Sequence, residues 1–106
     1  MLTKRLALVA IAAAMLAPAR AYARSEEHIV RITNFAFEPA NLIVAPGDTV
    51  TFINDDNAPH TATSSGDFDT GRLDRGDRAT VTISGAGRFN YRCTFHPMMK
   101  GSIIAG

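Results

Sequence analysis

The chain has 106 residues, 46% of them hydrophobic and 20% charged, with 11 basic residues against 10 acidic ones and a formal net charge of +1. That length predicts one domain, and the scattered lysines and arginines, with no run able to track phosphates, argue against a nucleic-acid partner. A single cysteine rules out an internal disulfide.

The N-terminal segment is read apart from the fold. Lys4 and Arg5 precede the apolar run Leu6–Leu16, and Ala21-Tyr22-Ala23 offers a small-x-small cleavage site, the pattern of a secretory signal peptide. The run falls short of the roughly 18 apolar residues that cross a bilayer, so no stable membrane insertion is expected after cleavage. Residues 1–23 are therefore predicted to be a signal peptide and residues 24–106 an exported, periplasmic domain. Removal of Lys4, Arg5 and Arg20 leaves fewer basic than acidic groups, so the net charge of the exported form is slightly negative.

From His28 onward the pattern is one of strands and turns. Val30 and Ile32 alternate with Arg31 and Thr33 in a first strand. Asn34–Asn41, with Pro39, reads as a connection whose Phe35 and Phe37 are expected to tuck inward. Leu42–Ala45 is a short apolar strand closed by the turn Pro46-Gly47-Asp48. Thr49–Asn54 follows, with Val50 and Phe52 on one face, and Asp55–Pro59 breaks it. Thr61–Ser65 is a possible short strand, and Gly66–Gly71 a loop anchored by Phe68. After the turn Asp74–Asp77, Ala79–Ser84 alternates in period two. Gly85-Ala86-Gly87 then leads into Arg88–Cys93, where Phe89, Tyr91 and Cys93 share the inward parity. Gly101–Ala105 is the last strand. About seven to eight short strands at this spacing predict an all-β chain folded as an antiparallel Greek-key β-sandwich.

The chemistry is concentrated in Tyr91–Gly101, which holds the one cysteine, His96, Met98 and Met99. An unpaired thiol in an oxidising compartment is open to damage unless it is buried or occupied, and metal ligation answers that. Cys93 ends an inward-facing strand, His96 follows three residues later and Met99 three after that, so a tight loop stiffened by Pro97 brings them together. A soft set of this kind needs a second nitrogen. His60, on the loop after Thr49–Asn54, supplies it and completes a His₂Cys set with a weak thioether, the donors of electron-transfer copper. It reaches the same end of the sandwich if Thr49–Asn54 neighbours the Cys93 strand. Spacing leaves Met98 and Met99 as equal candidates for the thioether. His28 stands among charges without a companion ligand nearby and is expected on the surface.

Other chemistries fit less well. A Cys/His hydrolase lacks an orienting acid beside Cys93 and His96. Structural zinc calls for more thiolates or histidines, and a two-copper centre for a second bridging sulfur. A copper-binding or copper-delivery protein uses similar ligands and stands as the alternative to a carrier.

Ala58-Pro59-His60 and Cys93–Gly101 resemble the cupredoxins, the small blue type 1 copper proteins. Within them they resemble the amicyanin group, whose loop reads Cys-Thr-Pro-His-Pro-Phe-Met-Lys-Gly. Cys93, Thr94, His96, Pro97, Met99, Lys100 and Gly101 match it in place. The resemblance implies one copper ion held by His60, Cys93 and His96 with Met99 axial, single-electron transport, and no enzymatic activity. It further implies transient redox partners, a dehydrogenase or a cytochrome, meeting the exposed edge of His96. There Ala58, Pro59, Phe95, Pro97 and Met98 would form an apolar docking patch. Phe95 and Met98 depart from the group's loop. Thr61 stands where the group has an asparagine that ties the two ligand loops, and its hydroxyl is expected to substitute.

Overall fold

The structure, a computed structural model, describes residues 25–106; the expected signal peptide at 1–23 lies outside the described residues. Nine strands follow in order: β1 (Glu27–Thr33), β2 (Ala36–Glu38), β3 (Asn41–Val44), β4 (Thr49–Asn54), β5 (Thr63–Ser64), β6 (Phe68–Asp69), β7 (Arg78–Thr82), β8 (Gly87–Arg92) and β9 (Lys100–Ala105). They exceed the expected number because β2 forms inside the Asn34–Asn41 connection and Phe68–Asp69 pairs with β5. No helix among the described residues is long and apolar enough to cross a membrane.

The strands form two sheets, ordered β2-β1-β4-β7 and β3-β9-β8-β5-β6. The chain changes sheet at β2–β3, β3–β4, β4–β5, β6–β7 and β7–β8, the cross-sheet path of a Greek-key sandwich. The all-β sandwich is as expected, but its sheets are mixed and not purely antiparallel: β1 pairs parallel with β4, and β3 with β9. The physical reason lies in the connections, since strands joined by excursions to the other sheet are free of the hairpin constraint that forces antiparallel pairing.

Period-two patterning places the core. Val30 and Ile32 of β1 are buried, while the alternate residues Ile29 and Arg31 face outward. Between the sheets Phe37, Phe52, Phe68 and Tyr91 form an aromatic cluster, with Phe37 edge-on to Tyr91 at 4.7 Å and Phe52 edge-on to it at 5.3 Å. Such pairs add about 0.5–1.5 kcal/mol beyond the area they bury. Tyr91 lies over Gly101, its partner on β9, where a Cβ would stand 2.3 Å from the phenol ring; only glycine fits there. Among the described residues the Tyr91 hydroxyl has no hydrogen-bond partner, and burial pushes its ionisation upward, so the phenol stays neutral.

Several tight turns use left-handed backbone. Ala45-Pro46-Gly47-Asp48 closes with the Asp48 N–H donating to the Ala45 carbonyl at 3.0 Å, and Gly47 takes φ +94°, which a type II turn requires at its third residue. The β1–β2 hairpin turns through Asn34 (φ 53°) and Phe35 (φ 59°), the doubly left-handed form of a two-residue hairpin loop. Phe37 is buried as expected. Phe35 is not: this turn sets its ring on the surface, 50% exposed.

Candidate metal centre

The two halves of the centre arrive from different sheets. β4 lies in the four-stranded sheet and β8 in the five-stranded one, so His60 does not reach the site through neighbouring strands of one sheet. The chain leaving β4 instead crosses the end of the sandwich and enters β5, and Thr63 of β5 pairs with Arg92 of β8. That pairing sets His60 and Thr61 beside Cys93, which continues the inward parity of β8.

The crossing loop is folded on Asn54, the buried last residue of β4. Its Nδ2 donates to the carbonyls of Ala58 (2.9 Å) and Leu73 (2.8 Å), and its Oδ1 accepts the Asp56 N–H (2.9 Å). His60 and Leu73 then exchange backbone hydrogen bonds at 3.0 and 2.8 Å. This locks the backbone of a histidine that is 0% exposed. The other loop closes on itself. The Cys93 N–H donates to the Met99 carbonyl at 3.1 Å, and the Met99 N–H to the His96 carbonyl at 2.9 Å. His96–Met99 is therefore a four-residue turn with Pro97 at its second position, where the fixed φ of proline suits it.

Three donor atoms converge at this end. Cys93 Sγ, itself 0% exposed, lies 3.7 Å from His60 Nδ1 and 3.7 Å from His96 Nδ1, and the three atoms lie within 4.8 Å of one another. Bonds of about 2.0 Å to imidazole and about 2.3 Å to thiolate, as zinc shows, would put trigonally arranged donors roughly 3.7 Å apart around one ion. The residues present thus fit a metal held by two nitrogens and one sulfur. The Thr61 N–H points at the sulfur, 3.4 Å away. Met99, 5% exposed, packs in the same core cluster as Cys93, whereas Met98 is 91% exposed. Burial separates the two methionines that spacing could not.

The Thr61 hydroxyl does tie the loops. Its oxygen accepts the Thr94 N–H at 3.0 Å and lies 3.2 Å from the Thr94 hydroxyl and 3.0 Å from that of Thr63, within the one-donor, two-acceptor capacity of a hydroxyl. Phe95 is half-exposed, Pro97 exposed, and Ala58 and Pro59 half-buried. Arg72 lies over the Phe95 ring at 6.0 Å.

Sequence reasoning missed two residues. Phe35 stands edge-on to both imidazoles, with ring centroids 5.0 Å from His60 and 4.9 Å from His96. Asp56 Oδ2 lies 2.9 Å from the outer nitrogen of His60, Nε2. Burial pushes the Asp56 carboxyl upward, but the N–H groups of Phe35 and Asn34 and the His60 ring outweigh it and hold it below the usual carboxylate range. A carboxylate four residues before a candidate ligand was the available signal for Asp56. Nothing in the sequence pointed Phe35 at the histidines.

His28 is corrected as well. It is half-buried and its Nε2 lies 2.9 Å from Asp48 Oδ2, forming with Glu26 a second group of close donor atoms. Asp48 also accepts the N–H groups of Glu26 (3.0 Å) and Ala45 (2.9 Å). The His28 hydrogen bond, then those from Ala45 and Glu26, lower its carboxyl to about 2. Its oxygens are spent on joining β1 to the turn after β3.

Comparison with known proteins agrees with this geometry. The family profile described as a cupredoxin-like domain matches residues 5–105. Amicyanin of Paracoccus denitrificans is 34% identical over 82 residues, covering 72% of this chain and 63% of the relative, so the chain spans somewhat less than two thirds of that protein's length. Among solved structures, a reduced amicyanin variant superposes with a TM-score of 0.70 at 30% identity, over 76% of this chain and 82% of the other. A copper-containing nitrite reductase from Thermus scotoductus SA-01 gives 0.70 at 29% identity, over 76% of this chain but 22% of the enzyme.

Proposed function

The chain belongs to the cupredoxin family, and we propose that it is a one-electron carrier in which His60, Cys93, His96 and Met99 hold a single type 1 copper ion. The observation that carries this is the buried Cys93 sulfur, flanked by two imidazole nitrogens at 3.7 Å each. When bound, copper supplies a one-electron Cu(II)/Cu(I) couple. The residues supply what the couple requires. Thiolate and thioether suit the reduced ion and imidazole suits both states. The Asn54-folded loop, the Pro97 turn and the Thr61 tie keep the donors in place through the change. Four donors leave no open position for a substrate, unlike a catalytic metal site. Three of the four candidate ligands are buried, which favours a resident ion over one handed to a recipient.

Only His96 among them is partly exposed, and it is the exit for the electron. The half-exposed Phe95 and the projecting Met98, with Pro97, Ala58 and Pro59, form the docking patch in this reading. Weak redox encounters use interfaces below about 1,200 Å². The partners are transient redox proteins, and export through the 1–23 segment puts the carrier in the periplasm.

Cu(II) added to the purified protein should give intense blue absorption from thiolate-to-copper charge transfer; a colourless Cu(II) form sinks the carrier reading. Met98→Lys should leave that band in place while slowing electron transfer to a redox partner about tenfold, the equivalent of one lost docking contact of about 1.4 kcal/mol. Loss of the band would move Met98 into the metal site.

A further inference from the structure

The two residues that sequence reasoning missed share one connection. Asp56 Oδ1 accepts the Asn34 N–H at 2.7 Å, and Oδ2 accepts the Phe35 N–H at 2.8 Å and faces His60 Nε2 at 2.9 Å. We propose that Asp56 is a positioning residue for both imidazoles of the centre: it fixes the proton of His60 on Nε2, and it holds the β1–β2 turn in the form that lays Phe35 across His60 and His96.

The first half follows from hydrogen-bond capacity. An ionised carboxylate only accepts, so the nitrogen facing it must carry the hydrogen. The His60 ring then presents a lone pair from Nδ1 towards Cys93. An imidazole with an outer carboxylate partner is fixed in tautomer and orientation and is a more basic ligand. His60 is fully buried, so water does not offer Nε2 a substitute acceptor.

The second half follows from backbone conformation. Asn34 at φ 53° and Phe35 at φ 59° are both left-handed. Asparagine tolerates that region, but a residue as bulky as phenylalanine is rare there, and glycine is the usual choice at the second position. The strain needs compensation, and Asp56 supplies it through two charge-assisted hydrogen bonds to the N–H groups of the turn. What the strained turn delivers is the Phe35 ring, edge-on to His60 and His96 with interplanar angles of 89° and 88°. Phe35 belongs to the four-stranded sheet and the His96 loop to the other. One carboxylate therefore links a hairpin of one sheet to ligands that the other sheet positions.

The proposal rests on the copper reading for its effect on metal, not for its geometry, and the test separates the two. In the copper-free wild-type protein, nitrogen-15 NMR of the histidine rings should show His60 with its hydrogen on Nε2, and ring contacts from Phe35 to both imidazoles. Asp56→Ala, which removes the acceptor, and Asp56→Asn, whose amide can either accept or donate, should mix the tautomers and loosen those contacts, while Asp56→Glu, which keeps an acceptor-only carboxylate, restores the Nε2–H form. Phe35→Ala should leave the tautomer of His60 unchanged. After loading with Cu(II), transfer of copper to a chelator should quicken about tenfold in Asp56→Ala, the lower end of the cost of losing a ligand's hydrogen-bond partner, with a shifted visible band. A wild-type His60 protonated on Nδ1 overturns the proposal even if every variant fails to fold. So does an Asp56→Ala protein with unchanged tautomer, Phe35 contacts and copper release. A wild-type protein that never turns blue would overturn the copper reading, while the copper-free spectra still decide the role of Asp56.

Discussion

The fold contains two histidine–aspartate pairs, each with a 2.9 Å contact through Nε2, and they are built inside out relative to one another. In His60–Asp56 the imidazole is fully buried and the carboxylate side chain is 12% exposed; in His28–Asp48 the carboxylate side chain is 5% exposed and the imidazole 20%. The buried member marks the work. Where the ring is inside, its free nitrogen faces a thiol and the carboxylate orients it. Where the carboxylate is inside, its oxygens gather N–H groups from β1 and the turn after β3, and the histidine is one donor among three. A pair of residue types does not define a function; the direction in which it is buried does.

The largest effect should come from truncating one ring at a time. His60→Ala should abolish the blue band, and His28→Ala should keep it at full intensity, with circular dichroism showing both proteins folded. A lost band in His28→Ala would erase the contrast between the two poles. It would also bring the Glu26–His28–Asp48 group into the metal chemistry.

A second, smaller effect should appear in acid. The folded-state pKa of Asp48 is lowered from 3.8 to about 2, so its contribution to stability is fully present above the unfolded value and is lost as pH falls from about 4 towards 2. Asp48→Asn should lower the melting temperature of the copper-free protein at neutral pH. It should also flatten the dependence of that temperature on pH across this window. A variant whose melting curve falls through the window as steeply as wild type would show that other carboxylates govern the acid limb.

The smallest effect concerns the tie between the ligand loops. Thr61→Val removes the oxygen that accepts the Thr94 N–H but keeps the shape of the side chain. A neutral hydrogen bond contributes about 1 kcal/mol, so copper loss should quicken by a few fold, measured against the same chelator, with the band position nearly unchanged. Retention equal to wild type would leave the tie to the backbone contact between the Thr61 N–H and Cys93 Sγ.

Much of the fold was legible because period-two alternation maps burial directly. Val30, Ile32, Tyr91 and Cys93 all point where their parity places them. The candidate ligands were legible because a thiol, two imidazoles and a thioether at such spacings have few other uses in an all-β chain. The strand directions were not, because parallel pairing of β1 with β4 depends on which sheet each connection crosses to. Nor, from spacing alone and without the resemblance of the loop, was the choice between Met98 and Met99, since adjacent positions in a turn of four residues differ in nothing but the face they present.

The sequence by itself determined the donor set, the inward parity of Cys93 and the tightness of the loop that Pro97 stiffens, for these depend on residue type and near neighbours along the chain. Only the tertiary structure decided that Asp56 reaches the outer nitrogen of His60 and that Phe35 covers both imidazoles. Those contacts join the β1–β2 turn to loops far away in sequence. They exist because a hairpin of one sheet and the ligand loop of the other meet at the same end of the sandwich, a proximity set by the packing of the two sheets and not by any local pattern.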